Sequence, residues 1–494
     1  MPIEKMTDKR FRAHLVSMNK TSVMQSLFLV LALSLFTGCG GSSASNPAPL
    51  NSGNLNLIFV TSGDLAYHAP GDINPGTANL TNQGLQRSLL MATFLQKQVL
   101  GTQNVTGIYA LEPMTHLQTG NDYTDMASLE TIQQFAMLNQ ISLSDGVNPP
   151  ITANSYPIFA SYSAESVPAG VAPPVYPCEA CQGLDFSDQN GDNETLMTGI
   201  VTANVPGFYV FSAPWETISS LLTHINSRES YSLTLPSGYK GPNSIYAISV
   251  TPSGKASLVT YKDDLNPPAT YPALPPLAST PCTAQTPFRI QVSSGAVTPA
   301  QINTNETIYF IRHTEAHPIT SWEDGNYIAA GQWRALALPK ALSGKIQPTQ
   351  VISIDPANGI PAGAGRPASS YVRAALTVEP YAIANNLPYS LADSVAVFAQ
   401  NAPKLSCAAS DYLFTEGKFS NQTVLAAWEH EHIPTTVNAL LASYQSSQIA
   451  PNWPDDDYDT IWTVKLDAQG NLTVDNSMCE GINSAALPAA APRF

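Results

Sequence analysis

The chain has 494 residues, of which 44% are apolar and 12% charged, and its formal net charge is −15. The apolar share excludes a disordered protein. The acidity argues against a nucleic-acid partner, because affinity there comes mainly from basic groups on phosphate. The length gives room for more than one domain with a full core.

The first readable element is at the N-terminus. Lys5, Lys9, Arg10, Arg12 and Lys20 precede "SLFLVLALSLFTGC". This apolar run has the length of a signal-peptide core and is shorter than a typical membrane span. Small residues precede Cys39, and a Gly/Ser/Pro-rich tether follows. The segment resembles a bacterial lipoprotein signal, with Phe36 where that motif usually carries an aliphatic residue. The resemblance implies cleavage before Cys39, a lipid on its sulfur, and a membrane-anchored protein on the periplasmic face or the cell surface. An ordinary signal peptide with a coincidental cysteine is the alternative. The other cysteines are Cys178, Cys181, Cys282, Cys407 and Cys479. Export favours disulfides. A local Cys178–Cys181 bridge is the preferred pairing, and an odd number of thiols leaves at least one unpaired.

Two regions flank a Pro/Thr-rich stretch, Leu265 to Pro287, whose composition predicts an extended linker. Each region opens with a β-forming run, "LNLIFVTSGD" and "NETIYFIRHTE". A helical pattern follows, with a glycine three residues before Arg87 and before Arg334. Then come a strand ending in acid-Pro, a second helix, a strand and helix, and a closing hairpin. The repeated order predicts an internal duplication of an α/β unit whose sheet is covered by helices. The copies differ at the strand ends. Arg312 and His313 align with Thr61 and Ser62, Glu315 with Asp64, Arg373 with Glu130 or a neighbour, and His430 with Trp215 or a neighbour.

Half of the 8 histidines fall in "IYFIRHTEAHP" and "WEHEHIP". The "RHTE" after the first strand, the G-x-x-R helix, "YVRAALT" and "VLAAWEHEHI" resemble the histidine phosphatase superfamily, which includes the phosphoglycerate mutases. The resemblance spans roughly Thr307 to Leu472. It implies two tandem three-layer α/β/α sandwich domains of the phosphoglycerate mutase-like type, with the site at the C-terminal strand ends. By resemblance, His313 is the nucleophile and forms a phosphohistidine. Arg312 and Arg373 bind the phosphoryl group, His430 is the second pocket histidine, and Glu315 orients the pocket. Arginine suits this role because its fork holds oxygen pairs bidentately. Chemistry also demands an acid for the leaving alkoxide. Asp393 lies nearest the expected place, with Glu429 and Glu431 as competitors.

The resulting expectation is a phosphomonoester hydrolase acting on a small phosphorylated substrate, without metal or other cofactor. The expected organisation is signal 1–38, tether 39–54, a degenerate domain 55–264, linker 265–300, a catalytic domain 301–485 and tail 486–494. Two rivals remain. One is a surface lipoprotein that binds a phosphate ligand without turning it over. The other is a metal-dependent hydrolase using His313, Glu315 and His430, which the flanking arginines disfavour. Asp185 to Glu194 reads as a solvated acidic loop, and Pro451 to Asp459 as an exposed acidic turn.

Overall fold

Apolar runs that end in polar turns pair as parallel strands when a helix returns the chain between them. The computed structural model describes residues 46–67, 74, 76–113, 117–118, 121–122, 124–143, 151–160, 183–186, 188, 191–282, 285–293, 298–317, 324–356, 359–360, 368–392 and 409–494. The signal segment, Cys39, Cys178, Cys181, Cys407 and Asp393 lie outside these residues.

In the N-terminal half, β1 (Leu55–Thr61), β2 (Gly107–Ala110) and β3 (Gly207–Ala213) run parallel. An antiparallel hairpin, β4 (Ser244–Val250) and β5 (Ala256–Lys262), completes the sheet in the order β2-β3-β1-β4-β5. Every residue of β1 is buried, which is why it reads as mostly apolar, and the buried Asn56 Nδ2 donates to the Gly207 carbonyl at 3.0 Å. The second sheet contains β6 (Arg289–Val292), β7 (Glu306–Arg312), β8 (Gln350–Ile354), β9 (Tyr389–Ala392), β10 (Thr423–Trp428), β11 (Thr460–Leu466) and β12 (Leu472–Cys479). Its order is β6-β12-β11-β7-β10-β8-β9. The inner five strands, β8-β10-β7-β11-β12, have the same order and relative directions as the first sheet. Strand β6 lies inside the stretch expected to be linker and pairs with β12.

The longer helices among the described residues are α1 (Asn82–Phe94), α2 (Ala127–Met137), α3 (Asp192–Ala203), α4 (Trp215–Arg228), α5 (Ala329–Ala341), α6 (Arg373–Asn385) and α7 (His432–Ser443). Leu89, Ile132 and Phe135 from the first half share one apolar core with Leu336, Leu376 and Val378 from the second. The outward face of each sheet has its own core, around Phe59, Phe211 and Leu222 in one and Phe310, Trp428 and Val437 in the other. Residues Asn46–Phe494 thus form one compact unit. The Pro-rich stretch is extended, as its composition predicts, but it is held along its length. Gln83 Nε2 donates to the Pro267 carbonyl at 3.1 Å and Tyr271 Oη to the Leu336 carbonyl at 2.8 Å. A disulfide joins Cys282 to Cys479 at the end of β12, with Cα atoms 5.4 Å apart.

The stretch read as an acidic loop contains the start of α3. Asp188 Oδ1 accepts from the Asn193 backbone N–H at 3.0 Å, and Asp192 and Glu194 occupy the first turn. Negative charge there favours the helix dipole.

Helices α2 and α6 meet between the halves and bring carboxyl groups into the shared interior. Burial pushes Glu130 up to about 8, and burial with the charges of Glu130 and Asp125 pushes Glu379 well above the usual carboxylate range. Both groups hold protons in the folded state that the unfolded chain releases. The contribution of Glu130 to stability is fully present below the unfolded value of 4.5 and is lost as pH rises through about 8, and that of Glu379 is lost in the same direction. The thermal midpoint should therefore fall between about pH 5 and about pH 8. Glu130→Gln should flatten that fall and raise the midpoint at the higher pH by a few degrees. Melting curves at the two pH values check this; an unchanged slope in the variant would contradict it.

Candidate active site

Arg312 is the last residue of β7 and pairs in register with Trp428, the last of β10. The two strands therefore deliver their next residues to the same edge. The His313 backbone N–H donates to the Trp428 carbonyl at 3.0 Å. The His313 side chain is buried, and its Nδ1 lies 2.8 Å from the Thr314 carbonyl oxygen. A carbonyl only accepts, so Nδ1 carries the proton and the lone pair of the neutral ring is on Nε2. Burial, then the charges of Arg373 and Arg312, hold the ring well below the ordinary histidine value; Glu429 and the Thr314 carbonyl oppose this without reversing it.

Two tyrosines stand edge-on to the ring, Tyr371 and Tyr458, each with its centroid 6.2 Å away. Each carries a guanidinium. Arg373 Cζ lies 4.5 Å from the Tyr371 centroid, and Arg312 Cζ 4.0 Å from that of Tyr458. Such cation–aromatic stacking restrains where the two charges sit. Arg312 Nη1 also donates to the carbonyls of Asp455 and, at 3.5 Å, Asp457. Its buried Nε has no hydrogen-bond partner among the described residues. Arg373 is the first residue of α6, fixed there by its backbone N–H to the Gly325 carbonyl at 3.0 Å.

The third side of the site follows β10. Glu429 contacts His430 Nδ1 through one oxygen, and its other oxygen accepts from His432 Nδ1 at 2.9 Å and from the Glu431 backbone at 2.7 Å. Burial works to raise this carboxyl, but the hydrogen bonds and charges of His430 and His432 prevail and hold it well below the usual carboxylate range. Glu429 is thus an ionised group that orients two imidazoles, a state unsuited to donating a proton. Glu431 is exposed. His430 Nε2 lies 3.4 Å from Asp455 Oδ1, a carboxylate open to solvent.

Glu315 turns away to Arg334. Its oxygens accept from Arg334 Nε at 2.9 and 3.1 Å and from Nη2 at 2.8 Å. Arg334 has no exposed side-chain surface and also binds Glu480 at 2.6 Å, the Ile482 carbonyl at 3.2 Å and Ser484 Oγ at 2.7 Å. Glu315 therefore anchors the segment that carries His313. Gly331 explains the spacing: a Cβ there would meet Thr314 Oγ1 at 2.6 Å and the Glu315 carbonyl at 2.8 Å. Only glycine lets α5 approach this closely, and Arg334 follows one turn later. The first half repeats the device. A Cβ on Gly84 would meet the Gly63 carbonyl at 2.7 Å, and Arg87 Nε binds Asp64 at 2.6 Å.

The structure thus brings His313, Arg312, Arg373 and His430 together and gives Glu315 a positioning role. His317 instead contacts Asp324 and Ser155, each at 3.3 Å, and helps join the halves. Sequence reasoning missed Tyr371, Tyr458 and the orienting part of Glu429. Tyr371 lies two residues before Arg373, within the motif itself. Tyr458 lies in the stretch read as an exposed acidic turn, which supplies a wall of the site. His313, Glu429 and His430 each offer a ligand atom within 4.8 Å of the others, so a metal set would use Glu429 in place of Glu315.

Removing one partner of a buried ion pair leaves the other charge uncompensated, at about 3–5 kcal/mol. Arg334→Ala should lose stability on that scale in denaturant unfolding, because two carboxylates lose their cation. A loss near zero would contradict this account. Nitrogen NMR of His313 should report a neutral ring protonated on Nδ1 at about pH 6, below the ordinary value for the side chain. A charged ring there would contradict the electrostatics above.

No family model and no curated protein matches the chain. Among solved structures it is similar to a protein assigned as phosphohistidine phosphatase SixA from Nakamurella multipartitia, at 13% identity and a TM-score of 0.20, over 40% of this chain and 96% of the other. It is also similar to a mutant phosphoserine phosphatase from Entamoeba histolytica in complex with phosphoserine, at 14% identity and a TM-score of 0.18, over 35% of this chain and 97% of the other. At these values neither likeness bears on what the chain does.

Proposed function

We propose that the chain hydrolyses phosphomonoesters through a phosphohistidine on His313. The observation that carries this reading is the hydrogen bond from His313 Nδ1 to the Thr314 carbonyl, which leaves a neutral Nε2 lone pair on a ring flanked by the two tyrosines that carry Arg312 and Arg373. Nε2 attacks phosphorus, the P–N bond forms and the ester P–O bond breaks. Arg312, Arg373 and His430 match the charge on the transferring oxygens. The leaving alkoxide takes a proton from an acid, and water then cleaves the P–N bond to release inorganic phosphate. Glu429 is a poor donor because it is held ionised. Asp393 remains our candidate acid.

We further propose that the halves are copies of one unit and that only the second kept the chemistry. The shared strand order and the paired Gly84–Arg87–Asp64 and Gly331–Arg334–Glu315 devices support this. The lipoprotein-like segment ending at Cys39 supports a lipid-anchored, extracytoplasmic location. A second reading, a metal-dependent hydrolase, is favoured by the closeness of His313, Glu429 and His430.

The test is release of phosphate from an aryl phosphate. Wild type should turn over in the presence of a strong chelator, and His313→Ala should lose at least about 1,000-fold, the scale expected when a nucleophile is removed. Abolition by chelation, restored by added metal, would support the metal reading instead. Phosphate binding without turnover in wild type would support the binding-protein reading.

A further inference from the structure

A cavity of about 510 Å³ lies between the Pro-rich strap, α5 and the segment after β12. Its origin is physical. Pro272, Pro275 and Pro276 lack N–H groups, so this stretch joins neither a helix nor a sheet ladder. It is pinned at both ends instead. At one end Tyr271 Oη donates to the Leu336 carbonyl at 2.8 Å. At the other, Thr280 donates to the Gly481 carbonyl at 3.2 Å, Asn483 to the Ala278 carbonyl at 3.1 Å, and Cys282 is joined to Cys479. Between the pins the strap stands off α5.

The walls are mainly apolar, including Leu274, Leu277, Leu336, Ala341 and Ile482. Three charged side chains also line it: Lys340, Lys345 and Glu480. Glu480 is committed to Arg334 at 2.6 Å. Lys345 Nζ is held over the chain by the carbonyls of Cys479, at 3.2 Å, and Glu480, at 2.5 Å. An ammonium has three N–H donors, and these two carbonyls are its hydrogen-bond partners among the described residues, which leaves one donor for a ligand. Lys340 is exposed at the last turn of α5. In a chain with net charge −15, the charge this cavity offers a ligand is positive. Volume, apolar walls and a few convergent polar groups are the marks of a small-molecule site.

We infer that this cavity binds an aliphatic monocarboxylate of medium chain length, its tail against the strap and α5 and its carboxylate at Lys345 and Lys340. The inference does not rest on the proposed phosphate chemistry. Its tail demands hydrocarbon, because apolar surface removed from water supplies the affinity. Its head demands an anion, because an uncharged head would leave the anchored ammonium unmatched.

The test is calorimetric titration of the full chain with decanoate below its micelle-forming concentration, with 1-decanol as the uncharged comparison. Saturable one-site binding of decanoate is expected, with decanol at least about ten-fold weaker. Lys340→Glu should weaken decanoate by about ten-fold, and Ala341→Trp, which fills the cavity, should abolish binding. Both variants must show the circular dichroism of wild type. No saturable binding to wild type, equal binding of decanol, or wild-type affinity in both folded variants would overturn the inference.

Discussion

The site depends on one buried cation. From α5, Arg334 holds two segments that are distant in sequence: Glu315 just after the His313 strand end, and the stretch after the last strand that contains Glu480, Ile482 and Ser484. Asp459 stands 3.7 Å away, one residue from Tyr458, which stacks on Arg312 and faces His313. Burying a guanidinium costs free energy unless several acceptors compensate it. Here two carboxylates, a carbonyl and a hydroxyl do so. The His313 ring can be placed by a backbone carbonyl because this cluster holds the segment that bears it.

The electrostatics of the site follow from that placement. A histidine buried beside two arginines stays neutral, and a carboxylate bonded to two histidines stays charged. Opposite protonation preferences in neighbouring groups separate their roles. His313 presents a lone pair, and Glu429 presents His430. The arginines have their own constraints, since each lies over a tyrosine and the backbone fixes part of each. A phosphoryl group would meet charges that need little rearrangement, which is where preorganised sites obtain most of their effect.

Much of this was legible in the sequence. The strand ends before Ser62 and His313, the helix beginning near Arg373 and the strand before His430 follow from runs long and regular enough to show their period. The Gly-to-Arg spacing was visible in both halves, but its meaning was not, because the reason lies in a backbone contact no periodicity reports. Glu315 illustrates the same limit. Its place two residues after His313 suggested the pocket, whereas its partner is 19 residues on, on a helix. Strands β6 and β9 have four residues each and depend on neighbours for their pairing. Tyr458 lies among aspartates whose composition reads as surface, and only tertiary packing turns it inward. The shared core between the halves could not be read either, since amphipathic helices do not declare which sheet or partner they face.

The proposed mechanism turns on transfer of the phosphoryl group to His313 Nε2. The most direct measurement is rapid acid-free trapping of the protein during turnover of a phosphorus-labelled aryl phosphate, followed by location of the label. An acid-labile phosphoryl group should form on His313 in wild type and be absent in His313→Ala. Turnover without a covalent label, or a label on another residue, would contradict it.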